Sequence, residues 1–416
     1  MKKNTLVDLF AGCGGLSLGL EQAGFHPIYV NELNDNALKS YLENRKISHP
    51  HLLESESYSN DIKTIINDKN VTKLKEHFTK TANIKIDHGE LDLLVGGPPC
   101  QGFSGIGHRR SYSVDKKQLP SNHLYQDMAW LIKQLSPKVF LFENVRGLLT
   151  SKWSKDGVKG EIWEDVKNTF SALQNYRIES SLILAKNYGV PQNRPRVILV
   201  GVREDISLKP WGNSKEVANG FLPEPTFNAP DLEDLIGDLV DDKYKNGGST
   251  IKYPSGIKND IQKFYRTKTD GSTMKKGSLV TEHEYSKHSE IVIKKFKNMI
   301  KNGGIISKEF KTKKFSQRLL KAKWGLNGPN ITATSLPDDY VHFSQPRVLT
   351  VREWARLQGF PDWYQFDGKR TTGGLRRAGN PRAGIYEREL PKYTQIGNAV
   401  PVLLARAIGN HFKKIL

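Results

Sequence analysis

Asp8-Leu-Phe-Ala-Gly-Cys-Gly-Gly15 is the stretch from which the fold of this chain is read. Apolar residues lead into it, so Thr5–Phe10 predicts a strand, the glycines a tight turn, and Gly15–Ala23 a helix. A glycine-rich turn between a first strand and a first helix lets backbone approach a ligand, and the helix N-terminus favours negative charge. Ile28–Asn31 reads as a second strand ending at Glu32, where a carboxylate can accept the ribose hydroxyls of a nucleoside. After Gly12 and Gly14, however, the third glycine position of a dinucleotide fingerprint holds Ser17. The motif therefore predicts a nucleoside cofactor, with a purely structural turn as the alternative.

Working outward, Leu91–Gly96, Val139–Glu143 and Val197–Val202 are apolar runs of strand length, and His123–Leu135 has helical spacing. Short apolar runs alternating with helical patterns predict a parallel sheet with crossover helices, an α/β fold. Character changes after Arg203: up to about Gln345 periodicity is weak, and Lys, Gly, Asn, Thr and Pro are frequent. Patterning returns at Val348–Leu357 and Gln395–Phe412. The expectation is one α/β domain, residues 1–203 and 346–416, interrupted by an insertion at 204–345, with the C-terminal helix returning to the first half.

The 416 residues are 37% hydrophobic and 26% charged, a globular composition, and carry a formal net charge of +19. Such an excess points to a polyanionic partner, nucleic acid first, against the plainer reading of a basic solvated surface. Two cysteines, Cys13 and Cys100, exclude a disulfide framework and a zinc site of several thiolates, and fit a reducing compartment. No secretory leader and no run of about 20 apolar residues is present, so a cytoplasmic protein is expected, with no membrane association.

Gly96-Gly-Pro-Pro-Cys-Gln-Gly-Phe-Ser104 places Cys100 at a strand end, behind two stiffening prolines and ahead of a Gly- and Ser-containing loop. A lone cysteine is ordinarily an inert buried residue. At the C-terminal edge of a parallel sheet, where such folds bind ligands, a thiol becomes a candidate nucleophile. Phe142-Glu-Asn-Val145 ends another apolar strand, which makes Glu143 either a helix cap or a candidate proton donor. Gln192-Asn-Arg-Pro-Arg-Val197 sets Arg194 and Arg196 before a further strand, so that one can face the pocket while the other faces solvent.

DLFAGCGG, GGPPCQGFS, ENV, QNRPRV, VREWARLQGFP and QIGNAVP, in this order, resemble the motif set of the DNA (cytosine-5) methyltransferases of prokaryotic restriction-modification systems. The resemblance covers roughly 1–203 and 346–416. It implies a Rossmann-like, mixed but mostly parallel sheet with an inserted, smaller target-recognition domain at 204–345. It also implies S-adenosyl-L-methionine as cofactor, double-stranded DNA as substrate and a flipped target base, with a cognate restriction endonuclease as companion; a monomer is the default expectation. Cys100 would attack C6 of cytosine, Glu143 would act at N3, and Arg196 would hold the base carbonyl oxygen, Arg194 being the weaker candidate.

For the cofactor the resemblance implies Phe10 against the adenine and the turn through Gly12, Gly14, Gly15 and Leu16 around the methionine part. Glu32 would take the ribose, Asp61 the adenine amino group, and Asn398 and Val400 would close the pocket. Ala11, Leu33, Ile62 and Pro98 complete the set. The loop Gly102–Asn122, with His108, Arg109 and Arg110, would close over DNA, although its end reads Pro120-Ser-Asn122 without the family's arginine. In the insertion, Lys252, Tyr253, Lys263, Tyr265, Arg266, Lys268 and Lys311 to Lys314 suit phosphate contacts with some base-edge readout. The Gly- and Arg-rich segment 369–392 would add a backbone or minor-groove contact or be a plain surface insertion.

Rival readings remain. A tRNA cytosine methyltransferase shares much of the motif set but carries a further Cys-Phe-Thr signature, for which no cysteine is left. A non-catalytic DNA-binding relative is expected to lack Cys100, Glu143 or Arg196. A nicotinamide dehydrogenase needs the third glycine.

Overall fold

The computed structural model describes residues 3–99, 120–208, 220–311, 317–323, 329–331, 339–371 and 389–416. Cys100, the loop that follows it to residue 119, Lys313, Lys314, Thr332–Thr334 and most of the 369–392 segment lie outside the described residues. The first half runs β1 (Asn4–Leu9), α1 (Gly15–Gln22), β2 (Phe25–Asn31), α2 (Asp35–Glu43), β3 (Tyr58–Ser59), α3 (Asp68–Ala82) and β4 (Leu93–Gly96). It continues through α4 (Leu124–Leu135), β5 (Val139–Val145), α5 (Glu161–Ser171), β6 (Tyr176–Leu184) and β7 (Pro195–Arg203). The remainder comprises α6 (Leu232–Ile236), α7 (Asp260–Arg266), α8 (Glu290–Lys301), β8 (Arg318–Leu319) and β9 (Tyr340–Val341). Three helices close the chain, α9 (Val351–Leu357), α10 (Lys392–Asn398) and α11 (Val402–Ile415). No helix among the described residues is long and apolar enough to cross a membrane.

The sheet has seven strands in the order β3-β2-β1-β4-β5-β7-β6. All pairings are parallel except that β7 runs antiparallel to both β5 and β6. This reversal decides where the site forms. The N-terminal end of β7 lies at the edge where β1, β4 and β5 finish, so residues at the start of one strand meet residues at the end of another. In β5 and β7 the register pairs Glu143 with Ile198 and Val145 with Arg196, which makes Glu143 and Arg196 diagonal neighbours on one face.

Alternation along the central strands sends residues to two apolar layers. Val7, Leu94, Phe140, Phe142 and Val197 pack with Phe78, Leu131 and Phe170 from α3, α4 and α5. On the other face Leu6, Leu93, Leu141 and Val200 pack with Leu20 of α1 and Leu404 and Ile408 of α11. The C-terminal helix thus returns to the first half as expected. It lies so close to α1 that a Cβ on Gly19 would stand 2.3 Å from the Val402 carbonyl oxygen. A third cluster joins residues of the insertion (Leu235, Tyr253, Tyr265, Leu320) to the later segment (Trp354, Phe360, Ile396). β6 has no counterpart among the expected strands; it is an edge strand with one face half open, and only Ile183 is fully buried.

Candidate active site and cofactor cradle

β1 ends at Leu9, and the turn beyond it uses left-handed backbone at Phe10 (φ 58°), Gly12 (φ 57°) and Gly14 (φ 84°). Glycine takes that conformation without strain. At Gly14 it is also required by space, since a Cβ would meet Tyr41 and Arg45 within 3 Å. The turn is tied to β2 by Ala11 N–H donating to the Asn31 carbonyl (3.0 Å). Glu32 clamps it: one carboxylate oxygen accepts Gly12 N–H at 2.8 Å and the other accepts Asn34 N–H at 2.8 Å. Burial pushes the Glu32 carboxyl above its ordinary range, while these two N–H donors pull it back. Each oxygen keeps a second lone pair for a hydroxyl donor. A Cβ on Gly12 would touch nothing within 4 Å, so the clamped loop borders open space.

The other candidate cofactor residues gather around this loop to differing degrees. A Cβ on Gly15 would stand 2.4 Å from the Val400 carbonyl oxygen, which brings the C-terminal motif directly onto the turn. Leu33 is exposed, and Asn398 is exposed at the end of α10. Asp61 accepts Lys63 N–H at 2.9 Å at the start of a short turn, while its neighbour Ile62 is buried in the apolar layer, as is Leu16 in the opposite one. Leu16 and Ile62 can therefore offer a ligand backbone only.

Beneath the turn lies a network that periodicity and motif matching did not reveal. Ser17, at the failed third-glycine position, donates to Asp8 (2.5 Å) and lies 2.8 Å from the Tyr41 hydroxyl. Burial pushes the Asp8 carboxyl up to about 7, against the lowering effect of the Ser17 hydrogen bond. Arg45, paired with Glu21 at 2.6 Å, donates to the Gly14 carbonyl (3.2 Å), and Tyr364 donates to the Cys13 carbonyl (2.5 Å). The departure from glycine at Ser17 therefore has a positive cause: a hydroxyl is needed there to hold Asp8.

At the neighbouring strand ends, β4 leads through Gly97 to Pro98, whose carbonyl accepts Asn144 Nδ2 at 3.1 Å. Glu143, 8% exposed, forms an ion pair with Arg196, 7% exposed. Its second carboxylate oxygen would be 3.0 Å from a Cβ on Gly97, three residues before Cys100. A side chain at Gly97 would crowd the carboxylate, so glycine lets the backbone leading to Pro98 pass close beside it. Burial draws the Arg196 pKa down, and Glu143 opposes that shift.

Arg194 differs from expectation: it is 1% exposed and does not face solvent. Its guanidinium donates to the carbonyls of Ile331, Gly397 (2.6 Å) and Ala399 (3.1 Å). Gln192, fully buried, donates to the Leu357 carbonyl at 2.8 Å and to Gln358. One residue of the pair thus reaches the pocket edge, and the other binds the C-terminal motif to the sheet. A second correction concerns the insertion. Tyr253, Tyr265 and Arg266 are 2%, 0% and 0% exposed, core residues that cannot touch a nucleic acid, whereas Lys252, Lys263, Lys268 and Lys311 are exposed.

The chain matches the family "C-5 cytosine-specific DNA methylase" over residues 4–414. It is 32% identical to the type II methyltransferase M.DdeI of Desulfomicrobium norvegicum, over 97% of this chain and 87% of that protein. It is 30% identical to M.XorII of Xanthomonas oryzae pv. oryzae, over 99% of this chain and 84% of that one. Among solved structures, a protein described as a DNA modification methyltransferase encoded within an E. coli prophage superposes with TM-score 0.66 at 24% identity, covering 99% of both chains. With the ion pair, the cradle and the sheet order in place, the match over nearly the whole length assigns the chain to the C-5 cytosine-specific DNA methylase family, enzymes that methylate cytosine in DNA at C5.

Proposed function

We propose that this enzyme methylates one cytosine within a specific double-stranded DNA sequence, taking the base out of the stack and attacking its C6 with the Cys100 thiolate. The observation that carries this reading is the buried Glu143–Arg196 pair, set against Gly97 on the segment that leads into Cys100. C6 lies inside a duplex stack, so a base must be flipped to reach a buried pair of this kind. Sulfur forms a bond to C6, and the displaced ring electrons load C5 while Glu143 donates to N3 and Arg196 holds the carbonyl oxygen. Once C5 carries the methyl group, a base takes its proton, the C6–S bond breaks and the thiolate returns.

The open loop edge at Gly12 and the free lone pairs of Glu32 fit S-adenosyl-L-methionine. When bound it supplies an electrophilic methyl group. Phe10, Ala11, Gly12, Gly14, Gly15 and Leu16 would line the turn, with Glu32 and Leu33 at the ribose, Asp61 and Ile62 at the adenine, and Pro98, Asn398 and Val400 enclosing the rest. The insertion, 204–345, would recognise the target sequence; its surplus of exposed lysines supports contact with phosphates. The type II names of the relatives support a restriction-modification role beside a cognate endonuclease. A cytoplasmic monomer suits that role.

The test is transfer of labelled methyl from S-adenosyl-L-methionine to unmethylated plasmid, followed by bisulfite sequencing, with Cys100→Ser alongside. Label confined to cytosines of one short motif, and lost in the variant, is the expected result. Label on RNA only, or an active Cys100→Ser enzyme, overturns the reading.

A further inference from the structure

We propose that Arg318, held over the Tyr340 ring on a segment that a run of contacts ties to the Glu143–Arg196 pair, reads a guanine of the target sequence, with Lys321 and Lys323 gripping the flanking phosphates. The inference rests on the functional reading above and adds the residues that would choose the site.

Position comes first. A short chain of contacts links Arg318 to the catalytic pair. Arg196, paired with Glu143, lies two residues beyond Arg194, which donates to the Ile331 carbonyl. Around it, Asn193 N–H donates to the Pro329 carbonyl at 2.7 Å and Ile331 N–H to the Gln192 side chain at 3.3 Å. Asn330, between these anchors, donates its N–H to the Tyr340 hydroxyl at 3.1 Å. The Arg318 guanidinium lies over the Tyr340 ring, 4.4 Å from its centre. β8, which carries Arg318, pairs with β9, which carries Tyr340.

Orientation comes second. Along 317–323, Leu320 is buried in the third cluster and Leu319 packs beside Val341 and Phe296, while Arg318, Lys321 and Lys323 are exposed. None of the three forms an ion pair within the described residues. Three unpaired cations on one short edge segment, in a chain of net charge +19, suit a polyanion rather than an acidic neighbour within the fold.

Chemistry comes third. A lysine is a mobile point charge suited to phosphate. An arginine stacked on an aromatic ring loses little further freedom on binding and presents a planar fork, the shape that pairs with O6 and N7 of guanine in the major groove. Tyr340 is buried on its other side, 4% exposed, and so forms a rigid platform.

The experiment methylates a pool of duplexes randomised around the target cytosine and sequences the methylated fraction for wild type, Arg318→Ala, Arg318→Lys and the double variant Lys321→Ala/Lys323→Ala. Arg318→Ala should lose about 10-fold or more of the preference at one base pair, the worth of a bidentate contact, and leave the other positions alone. Arg318→Lys should lose the same preference while keeping the salt dependence of binding. It also retains a cation over Tyr340, so a folding defect would separate the two variants. The lysine pair should weaken binding evenly and flatten the salt slope by about 2. Unchanged base preference in both Arg318 variants, or an even fall at every position, overturns the inference. If wild type labels no duplex, the functional reading fails and the inference with it.

Discussion

Under the sheet the interior is apolar: Phe140, Phe142, Leu94, Leu131 and Phe170 meet with no charge among them. Around α9 the interior is charged. Asp238, fully buried, pairs with Arg266 (2.6 Å) and Arg356 (2.5 Å), and Arg356 pairs again with Asp362 (2.6 Å). Beside them Arg347 holds Glu353 at 2.7 Å, and Arg352 donates to the carbonyls of Pro361 and Tyr364. Apolar contact tolerates many sequences of the right volume. A buried ion network tolerates few, because each charge left without its partner keeps its desolvation cost. In the sheet half the buried pairs Arg45–Glu21 and Glu143–Arg196 sit at the strand ends, beside the turn after β1 and at the proposed catalytic position. Charge should therefore serve activity at one edge of the sheet and folding around α9.

The largest expected effect tests the activity side. Glu143→Gln keeps the shape and removes the charge and the acid, and should slow turnover by about 100-fold or more. Its melting temperature should fall less than that of a broken pair around α9, because the amide oxygen that replaces the carboxylate can still accept from Arg196, which also donates to the Pro195 carbonyl at 2.9 Å. A stability loss as large as the activity loss would mean that the pair is structural, and the comparison would break.

Arg356→Met makes the reverse prediction. Asp238 would keep Arg266, and Asp362 would keep the Tyr253 hydroxyl at 2.6 Å, but both lose their shared cation. Breaking a buried pair costs about 3–5 kcal/mol, and urea denaturation would read it. Cofactor affinity, which the proposed function places at the turn after β1, should survive at temperatures where the variant is folded. An unchanged denaturation midpoint would show that the network contributes nothing net to folding.

Acid and base should act on two sets of groups with opposite sign. Burial holds His283 at about 4 and His342 at about 3, below the ordinary value of 6.5. As pH falls below about 6.5 the unfolded chain takes up protons that these folded rings refuse, so stability is lost progressively toward pH 4 and 3. His26 and His49, clustered near α2 at about 4 and about 3, add to the same acid limb. Asp8, at about 7, behaves oppositely. Between its ordinary 3.8 and 7 the folded chain keeps a proton the unfolded chain releases, so its contribution fades as pH rises through that window. Denaturation midpoints across pH 4–8 should show Asp8→Asn flattening the loss toward neutral pH and His342→Gln flattening the acid loss. Both variants altering the same limb would contradict the assignment.

The contrast also explains what the sequence could reveal. β1, β4, β5 and β7 are apolar runs, and the turn between β1 and α1 spells out its backbone demands in glycines, so half the fold and this turn were legible. Glu143 and Arg196 were legible as strand-end residues; that they touch depends on β7 running backwards, which no local pattern encodes. α9 was visible as a patterned segment, yet all seven of its residues, Val-Arg-Glu-Trp-Ala-Arg-Leu, are buried, arginines included, which an apolar pattern does not reveal. Tyr253, Tyr265 and Arg266 misled for the same reason: in a charged interior, a basic or hydroxylated residue no longer marks the outside. Ser17 read as a failed glycine because its partner, Asp8, is reached only through the folded turn.

The smallest effect bears on how α9 is held at all. Seven residues are too few for a helix to persist alone in water. Thr350 starts it with a capping box: its side chain accepts Glu353 N–H, and the Glu353 carboxylate accepts Thr350 N–H at 2.8 Å. The same Thr350 hydroxyl lies 2.9 Å from His283 Nδ1, and the same Glu353 carboxylate carries Arg347. Thr350→Ala removes the cap for about 1 kcal/mol and leaves His283 Nδ1 without its neighbour. Thr350→Ser keeps the oxygen and should restore most of the loss. If the helix is held chiefly by its arginines, as the charged interior implies, the alanine variant should fall well short of Arg356→Met in urea. Equal losses would mean that the cap and the network are one cooperative unit, and that the charges around α9 cannot be weighed apart from the helix start.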